Sequence, residues 1–281
     1  MKGADLAIDI RRSLVWKDAD GRAKLGALAQ ARFTAGPRLF WTARMLWLGQ
    51  RAPDGMRTAG ADSLWIGLDA PVVLSFADAP YEAVCSRAVH VPAGREHQLS
   101  FEGRALVCLF SDPQTGDRSA LGVAAQIEPR GAALTSALAI RSIDVLLGVV
   151  LNPSDADAER CGLEQALGLR NLPADSDLIG RCVRALDGAC GAWPSVEHLA
   201  ATTGLSPSSF RRGFRRCAGV TLKRYRVWRR LGSALQLATA GASLTDAAYE
   251  SGFSSSAHLS SACRNLFGST PSELLSRGER L

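Results

Sequence analysis

A chain of 281 residues can bury two cores, and 47% apolar with 21% charged side chains is ordinary for a soluble globular protein. The start, Met1-Lys2-Gly3-Ala4-Asp5, lacks the apolar core of an export signal, and Arg141 and Asp144 interrupt the longest apolar stretch, 132–151. A cytoplasmic protein with no membrane partner is therefore expected. The net charge of +6 is modest, and its placement matters more than its size.

Residues 1 to about 130 read as β-rich. Segments 38–49, 63–76, 81–91 and 105–111 are apolar or alternating, bounded by turn signals such as Ala52-Pro53-Asp54-Gly55, Ala77-Asp78-Ala79-Pro80 and Glu102-Gly103. Short strands in this rhythm predict a β-sandwich or small barrel. Trp41, Trp47, Trp65, Phe40, Phe76, Phe101 and Phe110 are expected mainly as its core, with an effector cavity as the alternative.

From Ala132 the period changes. Ile140, Ile143, Leu147, Val150 and Leu151 recur at helical spacing, while Ala137, Leu138, Val145, Leu146 and Val149 fill most of the other faces. Such a helix must be buried within its own domain or against a second subunit, which makes a homodimer an expectation. Helices are also predicted over 156–169 and 175–187, with a domain boundary near Pro173 that divides the chain into 1–173 and 174–281. The seven cysteines include no CxxC pair, which fits buried thiols in a reducing compartment.

The last third repeats one pattern, Leu199-Ala200-x3-Gly204-Leu205-Ser206 and Ala247-Ala248-x3-Gly252-Phe253-Ser254, and each copy later closes on a glycine, Gly219 or Gly268. A small residue four places before a glycine lets two helices cross closely, and the glycine can take the positive φ of a tight turn. Ser195 and Ser206 are predicted N-caps, with Pro207 at the first helical position and Phe210 and Phe214 buried at i, i+4. A long helix over 221–240 should join the copies. The second motif should have Ser243 or Thr245 as cap, a helix over 255–266, and a last helix opening at Thr270-Pro271.

From Leu199 to Leu281 there are 12 Lys+Arg against 4 Asp+Glu, a net of +8, so residues 1–198 carry −2. Nine of those basic residues fall between Arg211 and Arg230, and no acid occurs from His198 to Thr245. A solvated helix face usually mixes its signs, and a one-sign block is the footprint of a polyanion partner.

The run 199–220 resembles the first helix-turn-helix of AraC/XylS-type transcription regulators. Tyr225 to Leu231 resembles their linker helix, and 252–271 is similar to their second motif. The resemblance implies an all-α DNA-binding domain whose two recognition helices enter successive major-groove segments of double-stranded DNA. Ser208, Arg211 and Arg212 of the first helix, and Ser256, His258, Ser260 and Ser261 of the second, would face base edges. Ser209 also lies on the first helix's polar side, and Arg215, Arg216 and the linker-helix bases would meet phosphates or solvent. RNA polymerase is a further implied partner.

Aligned by Phe210 and Leu259, Arg211-Arg212 falls opposite Ser260-Ser261. Arginine can bond a guanine edge in bidentate fashion, whereas serine accepts almost any base. Cys263 and Ala257 stand where the family usually has phenylalanine and serine. The first motif is therefore expected to carry most of the specificity, and the second mainly affinity.

Val91-Pro92-Ala93-Gly94-Arg95-Glu96-His97 resembles the second cupin motif, PxGxxH. The fold expectation is thus α+β and multidomain: an N-terminal cupin-like β-barrel with helices, then an all-α domain with two helix-turn-helix motifs. A cupin metal site also needs the His-x-His and glutamate of the first motif, and no histidine precedes His90. No metal or other cofactor is expected, and the cupin-enzyme reading lacks its ligands. His97 is expected as a barrel residue, or else as a pocket residue contacting a small effector. Two roles stay open for the β domain, effector sensing and ligand-independent contact with other proteins.

Overall fold

The computed structural model describes residues 36–41, 44–115, 117, 142–147, 156–169, 177–187 and 193–275. Among them, strands β1 (Gly36–Trp41), β2 (Arg44–Gly49), β3 (Arg57–Thr58), β4 (Asp62–Gly67), β5 (Val72–Phe76), β6 (Ala79–Ser86), β7 (Ala88–Val91), β8 (Glu96–Phe101) and β9 (Leu106–Ser111) form two antiparallel sheets. One has the order β1-β2-β9-β4-β7 and the other β3-β8-β5-β6. These two sheets are the β domain expected at the N-terminal end.

Three of the four segments expected to be β-structure each hold two strands. Residues 38–49 form the hairpin β1–β2, with Trp41 opposite Arg44. Residues 63–76 break at Asp69-Ala70-Pro71, where proline has no N–H for a ladder and the Asp69 carboxylate accepts from the backbone N–H groups of Arg104 and Ala105. Residues 81–91 break at buried Arg87, where the chain leaves the four-stranded sheet for the five-stranded one. Its guanidinium donates to the carbonyls of Gly67 and Leu68, and burial lowers its pKa to about 10. Strands β3 and β8 were not among the expected segments. Pro92-Ala93-Gly94 is the turn between β7 and β8, with Gly94 at φ +84.

The five-stranded sheet is buried on both faces. Leu46, Leu48, Leu64, Ile66, Val107 and Leu109 pack against Ile143, Leu146 and Leu147 of the helical residues 142–147, and against Leu163 and Leu167 of helix α1 (Ala156–Leu167). Within the same layer Arg44 donates to both oxygens of Asp117 at 2.6 and 2.7 Å and to Glu164 at 3.4 Å. The described part of the apolar stretch 132–151 is therefore covered by the chain's own sheet. The rest of that stretch, Cys190, and the boundary at Pro173 lie outside the described residues, as do the side chains of Phe40 and Trp41.

The opposite face carries Met45, Trp65, Val89, Val91, Cys108 and Phe110, facing Val72, Leu74, Phe76 and Leu99 of the second sheet. This core does not end at the domain. It continues through Phe110 to Trp228 and Phe267, whose ring centroids lie 5.8 and 5.0 Å from that of Phe110.

The C-terminal part is helical: α2 (Asp177–Asp187), α3 (Val196–Thr202), α4 (Pro207–Ala218), α5 (Leu222–Thr239), α6 (Leu244–Glu250), α7 (Ser256–Phe267) and α8 (Pro271–Leu275). These bounds fall within a few residues of those expected from caps and periodicity. None of the six described cysteines is in a disulfide, and no described helix is long and apolar enough to cross a membrane.

Candidate nucleic-acid interface

The two motifs are built by the same local rules. Ser195 caps α3 by accepting from His198 N, and Ser206 caps α4 by accepting from Ser209 N. In the second copy Ser243 caps α6 and Ser255 caps α7, accepting from Asp246 N and His258 N. Between each pair of helices the glycine takes a left-handed conformation, φ +69 at Gly204 and +81 at Gly252. The next N–H then turns back to the small residue's carbonyl, Leu205 to Ala200 at 3.0 Å and Phe253 to Ala248 at 2.9 Å. Ala200 and Ala248 are both buried, as close helix crossing requires.

Helix α5 holds the copies apart. Its 18 residues span about 27 Å at the α-helical rise. Tyr225 on this helix packs against Phe214 of α4 (centroids 5.3 Å apart), and Trp228 packs against Phe267 of α7 (5.8 Å). The second helix of each motif thus leans on one aromatic residue of α5.

The exposed sides of α4, α5 and the start of α7 enclose a basic concavity of about 1290 Å³. Ser208, Arg211, Arg212, Arg215, Arg216 and His258 line it among the expected residues, joined by Lys223, Arg226 and Arg230 of α5. Ser261 and His258 border an adjoining cavity of about 490 Å³ that reaches Thr58 and Gly94 of the β domain. Ser209 lies at the start of α4, its hydroxyl accepting from that of Ser206 at 2.9 Å, and Ser256 and Ser260 are half-buried on α7. Neither they nor Ser209 line the two cavities.

Three features of this surface have no signal in the sequence. Glu197, on α3, comes within 3.7 Å of Arg211 and puts an acid at the edge of the arginine row. Its carboxyl is held below the usual carboxylate range by hydrogen bonds at the start of α3, with Arg211 and Arg226 adding smaller effects. Arg226 is drawn back to donate to the carbonyl of Pro194, and the Arg230 guanidinium stands 5.4 Å from the Trp193 ring. All three contacts join different helices or a helix and a distant loop, so local patterning cannot report them.

The β domain touches both motifs. The Arg224 guanidinium donates to Thr58 O, and a Cβ placed on Gly94 would lie 2.1 Å from the carbonyl of Gly219, the C-cap of α4. On the other side, Gly60 meets Leu266 of α7, and Arg57 lies against Gly268, its C-cap. Asp112, just past β9, accepts from Tyr225 Oη at 3.0 Å, Trp228 Nε1 at 3.2 Å and Gln114 N at 3.0 Å. Burial raises its pKa, an effect opposed by nearby Arg229 and these donors. Trp47, Trp65, Phe110 and Phe267 line a further cavity of about 320 Å³ at the junction, with Arg51 and Glu273 among its polar residues.

His97 does not line any of these three cavities. It is a buried barrel residue on β8 whose Nδ1 lies 3.2 Å from Arg95 O, and burial lowers its pKa to about 4. His90 sits in the other sheet, with Nε2 3.3 Å from an oxygen of Asp62. Among the described residues, no group of three or more His, Cys, Asp or Glu side chains could hold a metal ion.

A helix-turn-helix domain family model matches residues 199–277. No curated protein sequence matches the chain. Among solved structures, an apo single-site variant of ToxT from Vibrio cholerae strain SCE256 is similar with a TM-score of 0.57 at 12% identity, covering 85% of this chain and 99% of that one. Wild-type ToxT of the same strain, bound to an unsaturated fatty acid, gives 0.53 at 12% identity over 85% and 97%. An AraC-type DNA-binding domain protein from Chromobacterium violaceum is 28% identical over 37% of this chain and 95% of its own, with a TM-score of 0.33. Residues 199–277 thus match a helix-turn-helix domain, joined to an N-terminal β-sheet domain in a two-domain fold like that of ToxT.

Proposed function

We propose that this chain is a sequence-specific DNA-binding transcription regulator, with a DNA-binding domain over 174–281 and a regulatory β domain over 1–173. The observation that carries this reading is the pair of matching recognition helices on one linker helix, bordering a concavity lined by seven Lys and Arg side chains. Helix N-termini aimed at a duplex, with arginines beside them, supply both phosphate contacts and base readout. Arg211 and Arg212 read bases from α4 and Ser260 and Ser261 add weaker contacts from α7, while Arg215, Arg216 and the exposed Lys223 of α5 hold phosphates. Contact with RNA polymerase and self-association are further expectations of the reading. The test is selection of bound duplexes from a random pool by the full chain, followed by affinity measurements across salt concentrations. A recurrent motif with a steep loss of affinity in salt supports the reading, and recovery of no sequence preference overturns it.

The junction cavity favours control by a small molecule over a β domain that mediates only protein contacts. Its volume is near the lower end for ligand pockets, its floor is aromatic, and its walls come from both domains. The ToxT bound to an unsaturated fatty acid lends the idea support as a protein of similar fold. A thermal-shift screen of the full chain against small metabolites separates the two roles, since a hit must also change DNA affinity to count.

A further inference from the structure

Tyr225 and Trp228 lie one turn apart on α5, and each has two attachments. Their rings support the recognition helices, Tyr225 under Phe214 of α4 and Trp228 under Phe267 of α7. Their polar tips converge on one carboxylate of the other domain, Tyr225 Oη on Asp112 Oδ1 and Trp228 Nε1 on Asp112 Oδ2. Arg229 Nη1 donates to Tyr225 Oη at 3.3 Å, which leaves the Tyr225 hydroxyl proton for the carboxylate. Asp112, Tyr225 and Trp228 are 2%, 0% and 6% exposed, so water cannot readily stand in for any of the three.

From this convergence we propose that Asp112 is a positioning residue for DNA reading: through Tyr225 and Trp228 it sets the orientation of the two recognition helices relative to each other. The inference rests on the proposed DNA-binding function for its consequence, but its geometry can be tested without DNA. A carboxylate is the suitable group because it accepts at both oxygens, whereas an amide presents N–H toward one of the two donors. Asp112 is itself fixed from its own side. Its Oδ1 accepts from Gln114 N, and its carbonyl accepts from Thr115 N and Oγ1. A shift in the end of β9 is therefore passed to both reading helices together. Phe110, two residues earlier, packs on Trp228 and Phe267 and lines the junction cavity, so filling that cavity would act on the same element.

The test uses the full chain with nitroxide labels carried on an unnatural amino acid at the exposed positions Ser208 and Ala257, leaving the cysteines in place. The variants are Asp112→Ala and the double variant Tyr225→Phe/Trp228→Phe, which keeps an aromatic ring at both positions and removes both polar tips. The distance between labels should be single and narrow in the parent, and shifted or broadened in both variants. On duplexes selected by the parent chain, both variants should lose about tenfold in affinity for sites carrying both recognition segments. They should stay within about twofold of the parent on duplexes carrying the first segment alone. Unchanged label distances would overturn the proposal, as would an equal loss on both kinds of duplex, which would mean a general loss of folded protein. If Asp112→Ala does not fold, the double variant decides. If the parent selects no DNA, the proposed function fails while the distance measurement still judges the positioning role.

Discussion

The two helix-turn-helix motifs share one backbone plan and differ in what holds them. The first is supported mainly from within its own domain. Phe210 and Phe214 are fully buried on α4, Phe214 packs on Tyr225, and Leu178 of α2 lies near Gly213. The second has a mixed core of Leu259, Ala262, Cys263, Leu266 and Phe267, and part of its support comes from the β domain. Cys263 is fully buried, its thiol pKa pushed up to about 12 by burial, so it acts as a small apolar filler. A helix that rests partly on the other domain can be steered from it, and one held mainly by its own domain resists such steering.

The sharpest way to break this contrast is to remove one aromatic ring from each support. Phe214→Ala and Phe110→Ala should each cost about 3–5 kcal/mol in chemical denaturation. Hydrogen exchange should then separate them, with Phe214→Ala loosening α4 and Phe110→Ala loosening α7 and α8. Equal loosening of both helices by either variant would show that the motifs are not separately supported.

Acid should act on the second motif first. The folded-state pKa of His97 is lowered from 6.5 to about 4, so between those values the unfolded chain binds the extra proton. Stability is then full above pH 6.5 and falls as the pH drops toward 4, by at most about 3 kcal/mol. His97 pairs with Arg57 in the sheet register, and Arg57 abuts Gly268 at the end of α7. Urea melts at stepped pH should show the fall, and His97→Gln should flatten it over that window.

At the reading surface, Arg211→Ala with Arg212→Ala should relax site preference by about 1–3 kcal/mol at each base that an arginine reads. Ser260→Ala with Ser261→Ala should weaken all sites nearly evenly. Competition binding with single-base variants of the selected site measures both. The proposed division of labour is wrong if the serine pair sets the preference. Smallest of all, Gly204→Ala and Gly252→Ala should cost about 1–2 kcal/mol each, since both glycines have positive φ. The two costs should be about equal, because a Cβ at Gly252 meets Arg230 Nε at 3.4 Å, an ordinary contact, and nothing lies within 4 Å at Gly204. Thermal melts of the two variants make that comparison.

The helical third was legible along the chain to within a few residues. Serine caps, the Pro207 start, the buried i, i+4 pair Phe210–Phe214 and the glycine turns are all set by neighbours within one or two turns. The β domain was legible only as a class. Its strands end where Arg87 reaches back to Gly67 and Leu68, and where Asp69 holds the backbone near Arg104, contacts spanning 19 to 36 positions. Within the candidate site, the arginine row of α4 showed in the charge pattern, but Glu197 beside Arg211 did not. Only the tertiary structure revealed the union of the two domains. Asp112 is an ordinary acid in the sequence, more than a hundred positions from its two aromatic donors, and nothing in its neighbourhood marks it. Local physics writes the caps and turns into the chain, whereas a contact closed across that distance exists only once both domains have folded around it.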